Sequence, residues 1–281
     1  MESKKIVFPN AIVNKFEVIK FFNEFLGDSE KEMYYDMEQI TFFEASLVPF
    51  FHSINQQLFE THENIMYNKI NKTIEIFFIR SKFATKFNSK YVNVNLKDIY
   101  KTYIEFTEFK KEEEAGFYII EKKLQDKKLI DFRDEIQVEL ISLIAELTNN
   151  SYEHGRSENA YFCGQYYPQK HKLSFSISNL GRTINENVKE KNIDFSNEKC
   201  LKWIFEEGTT TRRDGTNGGQ GLFALKTVVK KLFGEITVIS GYDYFQINKK
   251  GNTMYKKLPN KYKGTTFIID IQYNRRFRDD L

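Results

Sequence analysis

The chain has little of several features that would restrict its environment. Its 281 residues include only two cysteines, Cys163 and Cys200, with no CxxC pair and no histidine-rich tract. A disulfide framework or a zinc site is therefore not indicated, and we expect two buried thiols in a reducing compartment. No window approaches the roughly 20 apolar residues of a membrane helix, and no apolar stretch typical of a signal peptide follows the N-terminal charges. We expect a cytoplasmic protein with no membrane partner.

The charges are nearly balanced. The formal net charge is +3, with 29% charged, 41% hydrophobic and 16% aromatic residues, which is an ordinary globular composition. Nucleic-acid binders usually concentrate more positive charge on one face, so we do not expect nucleic acid as the main ligand. The length is large for one small domain and suits two.

Strand-like and helical patterns predict an α/β protein in two parts. Residues 1–87 are predicted as a small α/β domain, with helices at 12–26 and 45–62 and strands at 33–36 and 72–79. Residues 88–131 are charged and weakly periodic, and we expect a connecting helical segment there. Residues 132–281 are predicted as a second domain, a sheet with helices on one face. Its predicted helices are 132–153, 195–207 and 221–233, and its predicted strands are 159–166, 172–178, 236–240 and 265–273.

A polar stripe runs along the helix predicted at 132–153. Glu146, Asn150 and His154 follow at four-residue steps and lie along one face. The solvated side of a surface helix would give the same stripe. Two asparagines in mid-helix are unfavourable for helix formation, however. A carboxylate one turn before a carboxamide can supply a base for water and an oxygen ligand for Mg²⁺.

A glycine-rich loop precedes the helix predicted at 221–233. Its glycines permit several N–H groups to converge on phosphate oxygens, and the helix adds the positive end of its dipole. The candidate phosphate-contacting residues are Thr210, Thr211, Arg212, Gly218, Gly219, Gly221 and Leu222. The loop is neither a Walker loop nor a Rossmann fingerprint, because it lacks the closing Gly-Lys-Ser/Thr and the GxGxxG spacing. A surface turn is the alternative.

A third element, SNLGRTI at 178–184, ends the strand predicted at 172–178. Asn179 could address an adenine edge there, and Gly181 would allow the base to approach. A strand-ending turn built from Asn and Gly is the alternative.

These three elements, in this order, resemble the GHKL superfamily, the Bergerat-fold ATP-binding domain of gyrase, histidine kinases and MutL. They look closest to its anti-sigma-factor-kinase-like branch. ELTNNSYEHG at 146–155 is similar to the N box, SNLGRTI to the G1 box and GGQGL at 218–222 to the G2 box. The resemblance covers roughly 132–273. It implies a two-layer α+β sandwich that binds ATP with Mg²⁺.

The resemblance also implies roles for individual residues. Glu146 takes the place of the general base and Asn150 that of the Mg²⁺ ligand. Thr265 matches the threonine of a late strand that assists adenine recognition. Two positions depart from the family pattern: Asn179 stands where an Asp usually accepts a hydrogen bond from adenine, and Thr183 replaces the second glycine of the G1 box.

The implied function is an Mg-ATP-binding regulatory protein with slow ATPase or protein-serine kinase activity coupled to partner binding. A protein partner or phosphoacceptor is expected, and a homodimer is an open alternative. The departures at Asn179 and Thr183 favour a different class, a catalytically degenerate nucleotide-sensing or protein-interaction scaffold.

A fainter likeness lies in the N-terminal part. Residues 34–47 look like the strand-turn-helix of STAS domains, the anti-sigma-antagonist fold, with Ser46 where some members carry a phosphorylatable serine. An N-terminal helix residue is the alternative for Ser46. His62, followed by Glu63, is a candidate histidine-kinase acceptor, with an ordinary surface histidine as the alternative.

Overall fold

The computed structural model describes residues 3–86, 89–94, 96–111, 134–191, 194–209 and 221–272, with only the backbone at 89 and 134–137. It is a mixed α/β structure, as predicted. Of the helices it describes, none has the length and apolar character needed to cross a membrane.

The N-terminal part is built around a parallel sheet. Its elements are β1 (Ser3–Val7), β2 (Ala11–Ile12), α1 (Phe16–Glu24), β3 (Glu32–Met37), β4 (Phe42–Phe43), α2 (Val48–Leu58), β5 (Asn64–Ile70) and α3 (Lys72–Arg80). Strands β1, β3 and β5 pair in that order, and β2 and β4 form a separate short pair. We call residues 3–80 the N-terminal module.

The segment 72–79, predicted as a strand, is instead helix α3. The side chain of Asn71 caps its first turn by accepting a hydrogen bond from the Thr73 N–H at 2.9 Å. Ile74, Phe77 and Phe78 are buried at helical spacing. The prediction was wrong because β-branched and aromatic residues favour strands only on average, and here burial of one helical face decides the structure.

The C-terminal part is built around an antiparallel sheet. Its elements are β6 (Tyr103–Lys110), α4 (Asp134–Glu153), β7 (Asn159–Tyr167), β8 (Lys172–Asn179), α5 (Ile184–Glu190), α6 (Asn197–Trp203), α7 (Gly221–Lys231), β9 (Glu235–Ile247) and β10 (Thr253–Gln272). The strand order is β6-β7-β8-β10-β9. Strand β6 lies in the segment expected to be a helical connection, so that expectation is wrong for 103–110. Its pairing with β7 is distant in sequence, which local periodicity does not reveal.

The sheet is covered on both faces. Helices α4, α5, α6 and α7 share one apolar core with one face of the strands, which agrees with the predicted arrangement. The N-terminal module packs on the other face, in a core that includes residues of β7, β9 and β10. Strand β8 shows the division most clearly, because Leu173, Phe175 and Ile177 alternate with serines that face the module.

A histidine lies in the interface between the module and the sheet. His52 of α2 is 5% exposed, and its ring centroid is 5.0 Å from that of Phe106 and 4.6 Å from that of Tyr161. Burial, helped by the charge of Lys86, lowers the pKa of His52 to about 4. The folded protein therefore holds this ring neutral at neutral pH.

We expect His52 to make the protein less stable in acid. Between pH 6.5 and about 4 the unfolded chain binds a proton at His52 and the folded chain does not, so the free energy of unfolding falls as the pH falls. Between pH 7 and pH 4.5, the free energy of unfolding measured with denaturant should fall by about 2–3 kcal/mol more in the wild type than in His52→Phe. Equal losses in the two proteins would contradict this origin.

Candidate functional site

The predicted N box and the end of the glycine-rich loop meet. Gly221, the first residue of α7, lies directly against the side chain of Glu146 on α4, and a Cβ at position 221 would overlap the Glu146 carboxyl group. Both helices pack on the same core through residues such as Leu143 and Leu225. The N-terminal end of α7, where backbone N–H groups have no partner within the helix, is therefore beside a carboxylate of α4.

Glu146 and Asn150 are half-buried side chains on the same helix. Neither side chain forms a hydrogen bond or ion pair with another residue that the structure describes. Both project from successive turns of α4, whose Leu147 is in the core. Among the described residues, nothing competes with a ligand for this carboxylate and carboxamide. One carboxamide oxygen is a suitable protein ligand for Mg²⁺, which otherwise takes phosphate and water oxygens.

The end of α4 is joined to the end of β8. The Asn150 carbonyl accepts hydrogen bonds from the N–H groups of His154, at 3.0 Å, and Gly155, at 2.9 Å. The Arg182 N–H donates to the Gly155 carbonyl at 2.7 Å. A Cβ on Gly181 would overlap that same carbonyl oxygen. The predicted N box and G1 box are thus held together by direct backbone contact.

Asn179 and Thr265 are neighbours across two strands. Asn179 ends β8 and is the register partner of Thr265 in β10. Asn179 is 4% exposed, and its Nδ2 atom is buried against Gly155 with no hydrogen-bond partner among the described residues. A buried amide without a partner costs about 1–3 kcal/mol, so it is an unusual group to find in a site that serves only packing.

Two threonines predicted for the site form bonds within the protein. The Thr265 hydroxyl is 2.9 Å from Ser240 Oγ, which in turn accepts a hydrogen bond from the Ile184 N–H at 2.9 Å. Thr183 is the N-cap of α5 and forms a capping box with Glu186. The Thr-x-x-Glu spacing of 183–186 signals this cap in the sequence and gives a structural reason for threonine at that position. Nothing in the sequence indicates Ser240.

Of the remaining predicted site residues, the structure describes Leu222. Leu222 is half-buried and packs against the helix-face core. Thr210, Thr211, Arg212, Gly218 and Gly219 lie outside the described residues.

The two candidate acceptor side chains in the N-terminal module are buried. Ser46 is fully buried, and Ser174 Oγ donates a hydrogen bond to its hydroxyl at 2.8 Å. His62 is 6% exposed, so it is not a surface histidine, and its Nδ1 is 3.1 Å from the Leu58 carbonyl oxygen. Neither can reach a kinase in this conformation.

Within the described ranges, no cluster of three or more His, Cys, Asp or Glu side chains could hold a metal ion. The chain matches no protein-family model, and no curated protein is significantly similar to it.

We expect Gly181→Ala to destabilise the protein by about 1–3 kcal/mol, because the new methyl group would overlap the backbone of Gly155 and force the two segments apart. Gly251→Asn is the control, since a side chain there has open space and asparagine tolerates its positive φ. Thermal or denaturant unfolding checks both. A fully stable Gly181→Ala protein would show that the contact is looser than described.

Proposed function

We propose that the protein binds Mg-ATP between α4 and α7, as a regulatory protein of the GHKL type. The observation that carries this proposal is the contact between Glu146 and Gly221. It brings a carboxylate to the N-terminal end of a helix, and the carboxamide of Asn150 lies one turn further along α4. Helix N-termini favour phosphate because their free N–H groups and dipole are directed at it.

In this proposal each polar group has a distinct role. Asn150 would supply a carboxamide oxygen to Mg²⁺, which would neutralise charge on the phosphates. Glu146 accepts a proton from the attacking nucleophile or orients it. Phosphoryl transfer needs chiefly such positioning and charge neutralisation, so the same groups would serve hydrolysis or transfer to a protein.

The adenine would lie beside Asn179 and Thr265. A carboxamide oxygen can accept a hydrogen bond from the adenine amino group, as the usual Asp does, but without its charge. The loss of charge would weaken binding by about 1–2 kcal/mol relative to Asp.

Two features of the fold support more specific proposals about the two parts of the chain. An antiparallel sheet with helices on one face suits a Bergerat-type domain. Three parallel strands alternating with helices suit a STAS-like module. We propose a cytoplasmic protein in which this module and a protein partner or phosphoacceptor regulate the nucleotide site.

The first test is direct binding of Mg-ATP by isothermal titration. We expect Asn150→Ala to weaken Mg-ATP binding at least about tenfold, because a ligand of the metal is lost. Asn149→Ala is the matched control, since Asn149 is the preceding residue and is exposed. No binding by the wild type would refute the proposal and leave the interaction scaffold as the remaining function.

A second test concerns Glu146. With γ-labelled ATP, we expect Glu146→Gln to slow phosphate release or transfer by about 100-fold or more while binding changes little, because a general base is removed. Glu139→Gln, on an exposed position of the same helix, should behave as wild type. Label on protein indicates a kinase, and free phosphate indicates an ATPase. Unchanged turnover in Glu146→Gln would remove Glu146 from the mechanism.

A further inference from the structure

Strand β10 departs from its partner strand close to the candidate site. It pairs with β9 at Lys257 opposite Asp243, at Tyr262 opposite Gly241 and again at Thr265 opposite Ser240, with register shifts on both sides of Tyr262. We call residues 258–264 the bulge segment. A bulge leaves backbone groups without their ladder partners, and it redirects the side chains it carries. Those backbone groups need other partners.

The N-terminal module supplies these partners. Asn23 of α1 donates from Nδ2 to the Asn260 carbonyl at 2.9 Å and accepts from the Asn260 N–H at 2.9 Å. Gln57 of α2 accepts from the Lys263 N–H at 2.8 Å and donates from Nε2 to the Lys261 carbonyl at 3.0 Å. Two amide side chains therefore take the place that a neighbouring strand would have along the bulge segment.

The bulge segment in turn contacts the site. Tyr262 is fully buried, and its hydroxyl is 2.8 Å from Ser178 Oγ and donates to the Asn179 carbonyl at 3.3 Å. Ser53 of α2 completes the chain through a 2.7 Å bond with Ser178. At the other end of the segment, Gly264 has a φ of 130° and lies directly against the Asn179 carbonyl.

We propose that the N-terminal module is a positioning element of the nucleotide site, acting through the bulge segment. Gln57 and Asn23 hold the path of the bulge segment. That segment contacts Asn179 of β8 and continues directly into Thr265 of β10. This inference rests on the proposed function. Nucleotide affinity would then depend on how α1 and α2 pack against the bulge segment. Because binding equilibria are reciprocally linked, bound nucleotide would in turn strengthen that packing.

Gln57 offers a clean test because it is half-buried, so its truncation leaves no large cavity. The adjacent Gln56 is also half-buried and forms no hydrogen bond or ion pair with the described residues, so Gln56→Ala is a matched control. In the full chain, we expect Gln57→Ala to weaken Mg-ATP binding about fivefold or more. Gln56→Ala should bind as the wild type does, with melting temperatures of the two variants close together.

Hydrogen exchange without nucleotide gives a second readout. A general loss of stability would speed exchange throughout the protein, whereas loss of the Gln57 contacts should speed it in one segment. Amides of residues 258 and 260–266 should exchange faster in Gln57→Ala than in Gln56→Ala. Equal affinities, or equal exchange, in the two variants while the wild type binds Mg-ATP would overturn the inference alone. Absence of binding by the wild type would overturn the proposed function and this inference with it.

Discussion

The contact between Gly221 and Glu146 is the constraint on which the candidate site depends. A larger residue at 221 would push α7 away from α4, because the space is filled by the Glu146 side chain. The two helices are otherwise held by the core they share on one face of the sheet. The glycine therefore does more than permit a turn: it lets the start of one helix approach a polar face of another. That approach brings the Glu146 carboxylate, one turn before Asn150 on α4, to a region of positive helix dipole.

A second constraint comes from the opposite face of the sheet. Strand β8 has apolar side chains toward the helices and small hydroxyl side chains toward the N-terminal module, so a single strand belongs to two interfaces. Ser174 and Ser178 meet Ser46 and Ser53 of the module at 2.8 and 2.7 Å. A buried hydroxyl without a partner is costly, so these two bonds favour one register of the module on the sheet. The site thus lies at the end of a strand whose position is set from both sides.

Local patterns predicted the elements that carry strong periodicity or clear turns. Helix α4, strands β7 and β8 and helix α7 were all expected close to their observed bounds. These include the segments that carry Glu146, Asn150 and Asn179. Composition misled the prediction for α3, where Asn71 and the spacing of buried residues specify a helix. Strand β6 was missed because its partner β7 lies beyond α4 in the sequence, and a short charged strand has a weak local signal.

Other parts of the site could not be read from the sequence at all. The roles of Asn23, Gln57 and Tyr262 depend on the bulge in β10, where β10 separates from β9. Local patterns do not indicate that side chains of α1 and α2 replace the missing strand partner there. The contact of Gly221 with Glu146 joins residues 75 positions apart in the sequence. A shared motif order suggested that they meet, and the packing of α4 on α7 is the physical reason that they do.

The most direct test of the central claim is a crystal structure of the protein with Mg²⁺ and a non-hydrolysable ATP analogue. We expect the triphosphate at the start of α7, Asn150 Oδ1 in contact with the metal, and the base beside Asn179. A nucleotide bound elsewhere on the molecule, or an Asn150 side chain without contact to metal or phosphate, would contradict it.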